Sequence, residues 1–251
     1  MRVGASLALG AQRVPSSSGP AGWPAALATG LLYRYDASVA ASLTLSGSVV
    51  DAWADQGPSG YHLAHEETGW PDPIYTATGF AGGPAVLFPS GSIASDPLSR
   101  ANVPGDYSGS RTLALVYQPQ ATGVVHSAVL VHTNAGAAGL VLREDNTESW
   151  CLSTQSYGST GVRSAAPPKT PQVIICVLGP SVATYERGGV DVSTSPTTGA
   201  GSSITGKLSL GARDFSNRSP AAIALAAVWS RALSAPEKIA FYAYCASRWA
   251  T

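Results

Sequence analysis

Ile223-Ala224-Leu225-Ala226-Ala227-Val228-Trp229-Ser230-Arg231-Ala232-Leu233-Ser234-Ala235-Pro236-Glu237 is the stretch on which the fold turns. Its apolar run reads as a strand over residues 222–229. A helix follows at once. Ser234-Ala235-Pro236-Glu237 is a capping box: the serine hydroxyl accepts an early backbone N–H, and the glutamate reaches back to the serine's own N–H. Pro236 suits the first turn, where its missing N–H costs nothing. Ile239, Tyr242, Ala243, Ala246 and Trp249 fall on one face of this helix, which is expected to cover 235–248 and to pack that face on the strands. Glu237 near its start and Arg248 near its end suit the helix dipole.

Working outward, strand-like runs with turn signals between them lie at 31–35, 49–53, 85–88, 112–117, 127–132, 139–143, 149–153, 172–178, 182–186, 190–193 and 207–211. The runs 113–117 and 173–178 are apolar at every position. That predicts inner strands covered on one side by a second sheet. Gly188-Gly189 between two runs predicts a hairpin turn. Residues 56–83 and 93–110 are rich in Gly, Pro, Ser and Asp. They are expected to be long irregular loops, where binding sites are first sought. The fold class read from this pattern is all-β: a two-sheet antiparallel jelly-roll sandwich over 31–251 with a C-terminal capping α-helix. Residues 1–30 read as an N-terminal arm. Rich in Gly, Ala and Ser, the arm buries too little to order itself, so it is expected to dock on its own domain or on a neighbouring subunit.

Charged residues make up 12% of the 251 and balance at 15 Lys+Arg against 15 Asp+Glu. So sparse and even a charge gives no electrostatic reason to expect nucleic acid or an anionic membrane as partner. No apolar run approaches the ~18 residues of a membrane span. Arg2 and the weakly apolar residues 3–11 fall short of a secretion signal. Cys151, Cys176 and Cys245 are an odd, widely spaced set with neither a disulfide framework nor zinc spacing. They fit synthesis in a reducing compartment.

In chain order, Leu31-Leu32-Tyr33-Arg34-Tyr35-Asp36-Ala37, Val50-Asp51-Ala52-Trp53-Ala54-Asp55-Gln56, Gly83-Pro84-Ala85-Val86-Leu87-Phe88, Leu208-Ser209-Leu210-Gly211-Ala212-Arg213 and the stretch quoted first carry a resemblance. Together they resemble the opening and closing strands of the concanavalin A-like lectin/glucanase superfamily, in particular its laminin-G-like branch. The resemblance covers about residues 31–251. It implies a domain that binds sugars or protein partners, with the helix in the place read above. It also implies a structural calcium, for which Asp96, Asp214 and Asn217 are the loop groups to test; the residues themselves call for no cofactor.

Within Trp53-Ala54-Asp55-Gln56-Gly57-Pro58-Ser59-Gly60, Trp53 reads as a core anchor and the last residues as a turn. Asp36 and Asp55 are expected to accept turn backbone hydrogen bonds. The family carries an Asp-x-Ser-Gly-like turn here, which Pro58 varies. Glycosidase chemistry needs two carboxyls roughly 5–10 Å apart. Enzymes of the resembled family often carry Glu-x-Asp-x-x-Glu on one strand. Glu144-Asp145-Asn146-Thr147-Glu148 lacks that spacing and reads as a polar hairpin tip, and Glu66-Glu67 would face opposite ways. No Gly-x-Ser-x-Gly elbow is present. The chain is therefore expected not to be an enzyme. His62, His65, His126 and His132 show no metal-ligand spacing; His62 and His65 with Glu66 are the one combination to weigh.

Sugar recognition needs an aromatic face to stack on the apolar side of a pyranose, with amide or carboxylate groups beside it for the hydroxyls. Tyr61, Trp70, Tyr75 and Tyr107 fall in the two long loops, next to His62, Asp72 and Asp106; Trp150 and Tyr157 flank a third region with Asn146 and Gln155. The candidate glycan-binding set is Tyr61, His62, Trp70, Asp72, Tyr107, Asn146, Trp150 and Tyr157. Trp70 and Tyr75 have a second reading, as residues that seal the sandwich edge. Trp23, Trp229 and Trp249 read as packing residues. A short arm before a lone module also resembles the appendages of phage or phage-like particles. The expected function is thus a non-enzymatic glycan-binding adhesion module of a virion, part of an oligomeric assembly. Its arm would dock on other structural subunits and its sandwich would face host polysaccharide. The alternatives are a purely structural decoration protein, or a secreted accessory module of a polysaccharide-degrading bacterium. The expected location is the virion surface or the extracellular space.

Overall fold

The structure, a computed structural model, describes residues 22–66, 71–89, 97–119, 127–134, 137–144, 148–152, 161–165, 170–199, 203–211 and 221–250. Among these the strands are β1 (Leu31–Asp36), β2 (Leu43–Ser46), β3 (Val49–Trp53), β4 (Leu63–His65), β5 (Ile74–Phe80), β6 (Gly83–Phe88), β7 (Leu98–Asp106), β8 (Arg111–Pro119), β9 (Ser127–Asn134), β10 (Ala137–Glu144), β11 (Glu148–Leu152), β12 (Gly161–Ala165), β13 (Gln172–Leu178), β14 (Ala183–Arg187), β15 (Val190–Asp191), β16 (Thr194–Thr197), β17 (Ser203–Leu210) and β18 (Ala221–Trp229). One α-helix, α1 (Ala235–Ala246), follows.

Every strand pairing is antiparallel. One layer runs β15–β14–β13–β8–β18, and β1 and β6 share the far edge of β18. The other runs β4–β7–β17–β9–β10–β11–β12–β16. Strand β3 pairs with β2, β4 and β5 and joins the layers at one edge. The expected sandwich with its C-terminal helix is what the chain adopts.

Alternation explains the layering. Leu113, Leu115 and Tyr117 of β8 and Ile174, Cys176 and Leu178 of β13 enter the inner core, with Leu98, Leu130, Leu142, Val162, Leu208 and Leu210 of the facing layer. The intervening Ala114, Val116, Val173, Ile175 and Val177 point the other way. On β18 the register slips between Ile223 and Leu225, so Ala224 and Leu225 share the outer face. Such a bulge resets the phase of the strand. The outer face is not solvated, because α1 covers it. Burial on both faces is why these strands read as unbroken apolar runs.

The capping box forms as expected: Ser234 N–H donates to Glu237 Oε2 at 2.8 Å. The expected packing face is corrected. Phe241, Tyr244 and Cys245 are the buried helix residues, with Trp249 just beyond, whereas Ile239 is 69% exposed and Ala243 and Ala246 face solvent. The large aromatic rings set the helix rotation. The helix ends at Ala246, so Arg248 lies outside its last turn; its guanidinium instead stacks 3.8 Å from the Tyr244 ring centroid.

Residues 22–27 lie over the same face. Trp23 stacks on Trp229 with centroids 6.2 Å apart and meets Tyr244 edge-on at 4.9 Å, and Arg34 covers it at 4.4 Å. Trp229 Nε1–H donates to the Leu27 carbonyl at 2.8 Å, and Trp249 Nε1–H to that of Pro84 at 2.9 Å. All three tryptophans pack as expected. This part of the expected arm is bound to its own domain; residues 1–21 lie outside the described residues. The expected long loops are also corrected. Residues 56–83 contain all of β4 and β5, and residues 93–110 contain β7.

Candidate functional site

A cleft of about 430 Å³ opens at one end of the sandwich. There β1 begins, β18 and β7 end, and β17 begins. Its walls come from Leu32 and Tyr33, from Ser59 and Tyr61 on the β3–β4 connection, from Pro104, Gly105, Asp106 and Tyr107, from Ser203, Ile204 and Thr205, and from Ser230.

The Asp55 carboxylate organises the β3–β4 connection. Oδ1 accepts from the N–H groups of Arg34 at 2.9 Å and Gly57 at 2.7 Å; Oδ2 accepts from that of Tyr61 at 3.0 Å. The Asp55 N–H donates to His62 Nδ1 at 3.0 Å. The chain thus curls round one carboxylate and delivers Ser59 and Tyr61 to the cleft. Gly57 is needed there, because a Cβ would stand 2.8 Å from Tyr33 Cα. Asp36, as expected, is also structural: it accepts from Ser38 N–H at 2.9 Å and from the Tyr244 hydroxyl.

The floor is a buried aromatic and histidine assembly. Tyr33 and Tyr107 are each 1% exposed. His132 Nε2–H donates to the Val103 carbonyl at 2.9 Å, so Nδ1 is left to accept from the Tyr107 hydroxyl. Burial lowers the His132 pKa and holds the ring neutral; burial also drives both phenols well above their ordinary range, so they remain protonated. Gly105 lets the strand lie on this pair, since a Cβ there would meet the His132 ring at 2.6 Å. Arg111, 1% exposed, donates to the Tyr107 carbonyl from behind.

Of the residues expected to bind sugar, Tyr61 and Tyr107 come together in this cleft. Tyr61 is half-buried on a loop, with Arg100 Cζ 5.8 Å from its ring centroid. Tyr107 is not an open loop aromatic but part of the floor. His62 is exposed beside Tyr61, with Nδ1 engaged by Asp55. Asp72 stands apart from the cleft, next to His65 Nε2 at 3.5 Å. Trp150 sits on β11 opposite Arg143 and Arg163. Trp70, Asn146 and Tyr157 lie outside the described residues, as do Asp96, Asp214 and Asn217. Tyr75 is half-buried against the inner core, in keeping with its sealing role. Glu66 faces Lys207 Nζ at 2.6 Å and the Ser99 hydroxyl, away from any joint site with His62. Among the described residues no three His, Cys, Asp or Glu side chains are grouped to hold a metal.

The sequence reading missed Ser203, Thr205 and Ser230, because only long-range pairing brings them to Tyr61. Asp106 was legible only as a polar neighbour of Tyr107.

No family model and no curated protein matches the chain. Solved structures do resemble it. A Trypanosoma rangeli sialidase in complex with sialic acid superposes with a TM-score of 0.52 at 14% identity, over 88% of this chain and 33% of that one. The binding domain of botulinum neurotoxin DC in complex with SialylT gives 0.60 at 7%, over 88% and 52%. The binding domain of Paraclostridial Mosquitocidal Protein 1 gives 0.57 at 8%, over 85% and 52%. The chain therefore spans a third to a half of these proteins. At such identities the likeness is one of fold: an antiparallel β-sandwich.

One expectation is overturned here. The chain was expected not to be an enzyme because it lacks a paired-carboxylate strand and a nucleophile elbow. Sialidase chains share its fold over 88–92% of its length, so missing motifs of one enzyme family do not set it apart from enzymes.

Proposed function

We propose that this chain is a glycan-binding module and that the end cleft takes the sugar. The observation that carries this is the meeting of Tyr61 and Asp106 across one cleft, with the hydroxyls of Ser59, Ser203, Thr205 and Ser230 around them. An aromatic ring beside directional polar groups matches the two-sided character of a pyranose, apolar on its face and hydroxylated on its edge. The fixed floor of Tyr33, Tyr107 and His132 supports preorganisation, which limits the entropy lost on binding. The toxin binding domain solved with SialylT supports the same reading from fold. A glycan array with wild-type protein and the Tyr61→Ala variant tests it. Wild type should bind a defined subset, and the variant should lose roughly tenfold in affinity while its melting temperature holds, the scale of one aromatic contact. A blank wild-type array, or equal binding by the variant, would refute the cleft.

Within that reading, the sandwich belongs to the laminin-G-like branch and serves adhesion on the surface of a phage or phage-like particle. Residues ahead of Trp23 dock the module on other subunits; their Gly-, Ala- and Ser-rich composition supports this. Antibody labelling of purified particles would reveal the module on their surface, and unlabelled particles would count against that setting.

A further inference from the structure

Asp106 sets the charge at the mouth of the cleft. Its Oδ1 accepts from Ser108 N–H and from the Ser203 hydroxyl, both at 3.0 Å, which pins the carboxylate between β7 and β17. Neither of these two bonds uses Oδ2. The same hydrogen bonds, Ser108 first, hold the Asp106 pKa below its ordinary value, so the group is anionic at neutral pH. Among the described residues the walls contain no Lys, Arg or His. Two guanidinium groups stand close but outside. Arg111 is buried behind Tyr107 and engaged with its carbonyl, and Arg100 lies over the Tyr61 ring.

We infer that the cleft selects uncharged glycans, with Asp106 Oδ2 accepting a sugar hydroxyl, and discriminates against glycans that end in a carboxylate-bearing sugar. This rests on the cleft being the glycan site. A hydroxyl donated to a fixed carboxylate is among the stronger hydrogen bonds available to a neutral ligand. A sugar carboxylate would instead meet a like charge with no cation among the described wall residues to offset it. At the dielectric of a protein surface, repulsion across several ångströms is worth about tenfold in affinity. The preference would therefore differ from that of the sialidase solved with sialic acid, although the fold is shared.

The test uses the full chain and matched glycan pairs on one array, each neutral oligosaccharide beside its sialylated form, followed by calorimetric titration of the best-bound pair. The neutral member should bind about tenfold more tightly. In 1 M NaCl, where screening acts within about 3 Å, the gap should narrow. Asp106→Asn keeps an oxygen for Ser108 and Ser203 and should bring the two members close to parity. Thr205→Lys, at an exposed wall position, should raise binding of the sialylated member specifically, and this readout stands even where Asp106→Asn folds poorly. Equal or tighter binding of the sialylated member by wild type would overturn the inference and leave the glycan-binding reading intact. An array blank to every glycan would overturn both.

Discussion

Asp55→Ala strips the carboxylate around which the β3–β4 connection folds. Three backbone N–H groups, of Arg34, Gly57 and Tyr61, lose their acceptor at once. The residue is 7% exposed, so water replaces the carboxylate only in part. Each lost bond to a charged acceptor in such a place costs about 1 kcal/mol net, for a total of about 3 kcal/mol. Urea unfolding followed by tryptophan fluorescence measures it: the midpoint should fall while the m-value holds. Asp51→Ala is the control, because that carboxylate makes an exposed contact with the Ser46 hydroxyl and should change stability by less than about 0.5 kcal/mol. Although Asp55 does not line the cleft, its removal should also weaken glycan binding by freeing Tyr61. A loss under 1 kcal/mol would refute the reasoning, since it would mean that solvent satisfies all three donors.

Glu237 gives a pH signature. Paired with Arg231 and hydrogen-bonded by Ser234, its carboxyl is held down at about 2 from an ordinary 4.5, so its stabilising effect is present above pH 4.5 and is lost as pH falls toward 2; Glu237→Gln should flatten that acid limb in thermal melts. Phe241→Ala should cost about 3–4 kcal/mol in urea unfolding, because it opens a cavity between α1 and β18. Ile239→Ala on the same helix should cost less than about 0.5 kcal/mol, and the reverse order would restore the helix face expected from sequence.

The layer of β8, β13 and β18 was legible because burial on both faces leaves long central runs apolar at every position, 113–117, 173–178 and 221–229. Short polar strands were not. Strands β2 and β16 are almost wholly exposed, and β4 spans three residues; pairing with neighbours, not composition, makes them strands. In β7, Pro104, Gly105 and the positive φ of Asn102 imitate a loop. The helix start was legible from its cap, a local signal. Its buried face was not, because apolar residues lie on two sides and only the facing sheet decides between them. The site divides the same way. Tyr61 is visible as an aromatic in a turn-rich segment, whereas its meeting with Asp106 and Ser203 depends on strand pairings that span most of the chain.

Pairing of Leu31 with Trp229 has a consequence for synthesis. A ribosome releases β1, β6 and β8 long before β18, the strand that all three must grip, leaves the exit tunnel. Until then their apolar edges stand open, and closing so long a loop is entropically slow. Nascent chains of this protein should thus engage holding chaperones until β18 emerges, and the domain should snap shut only then.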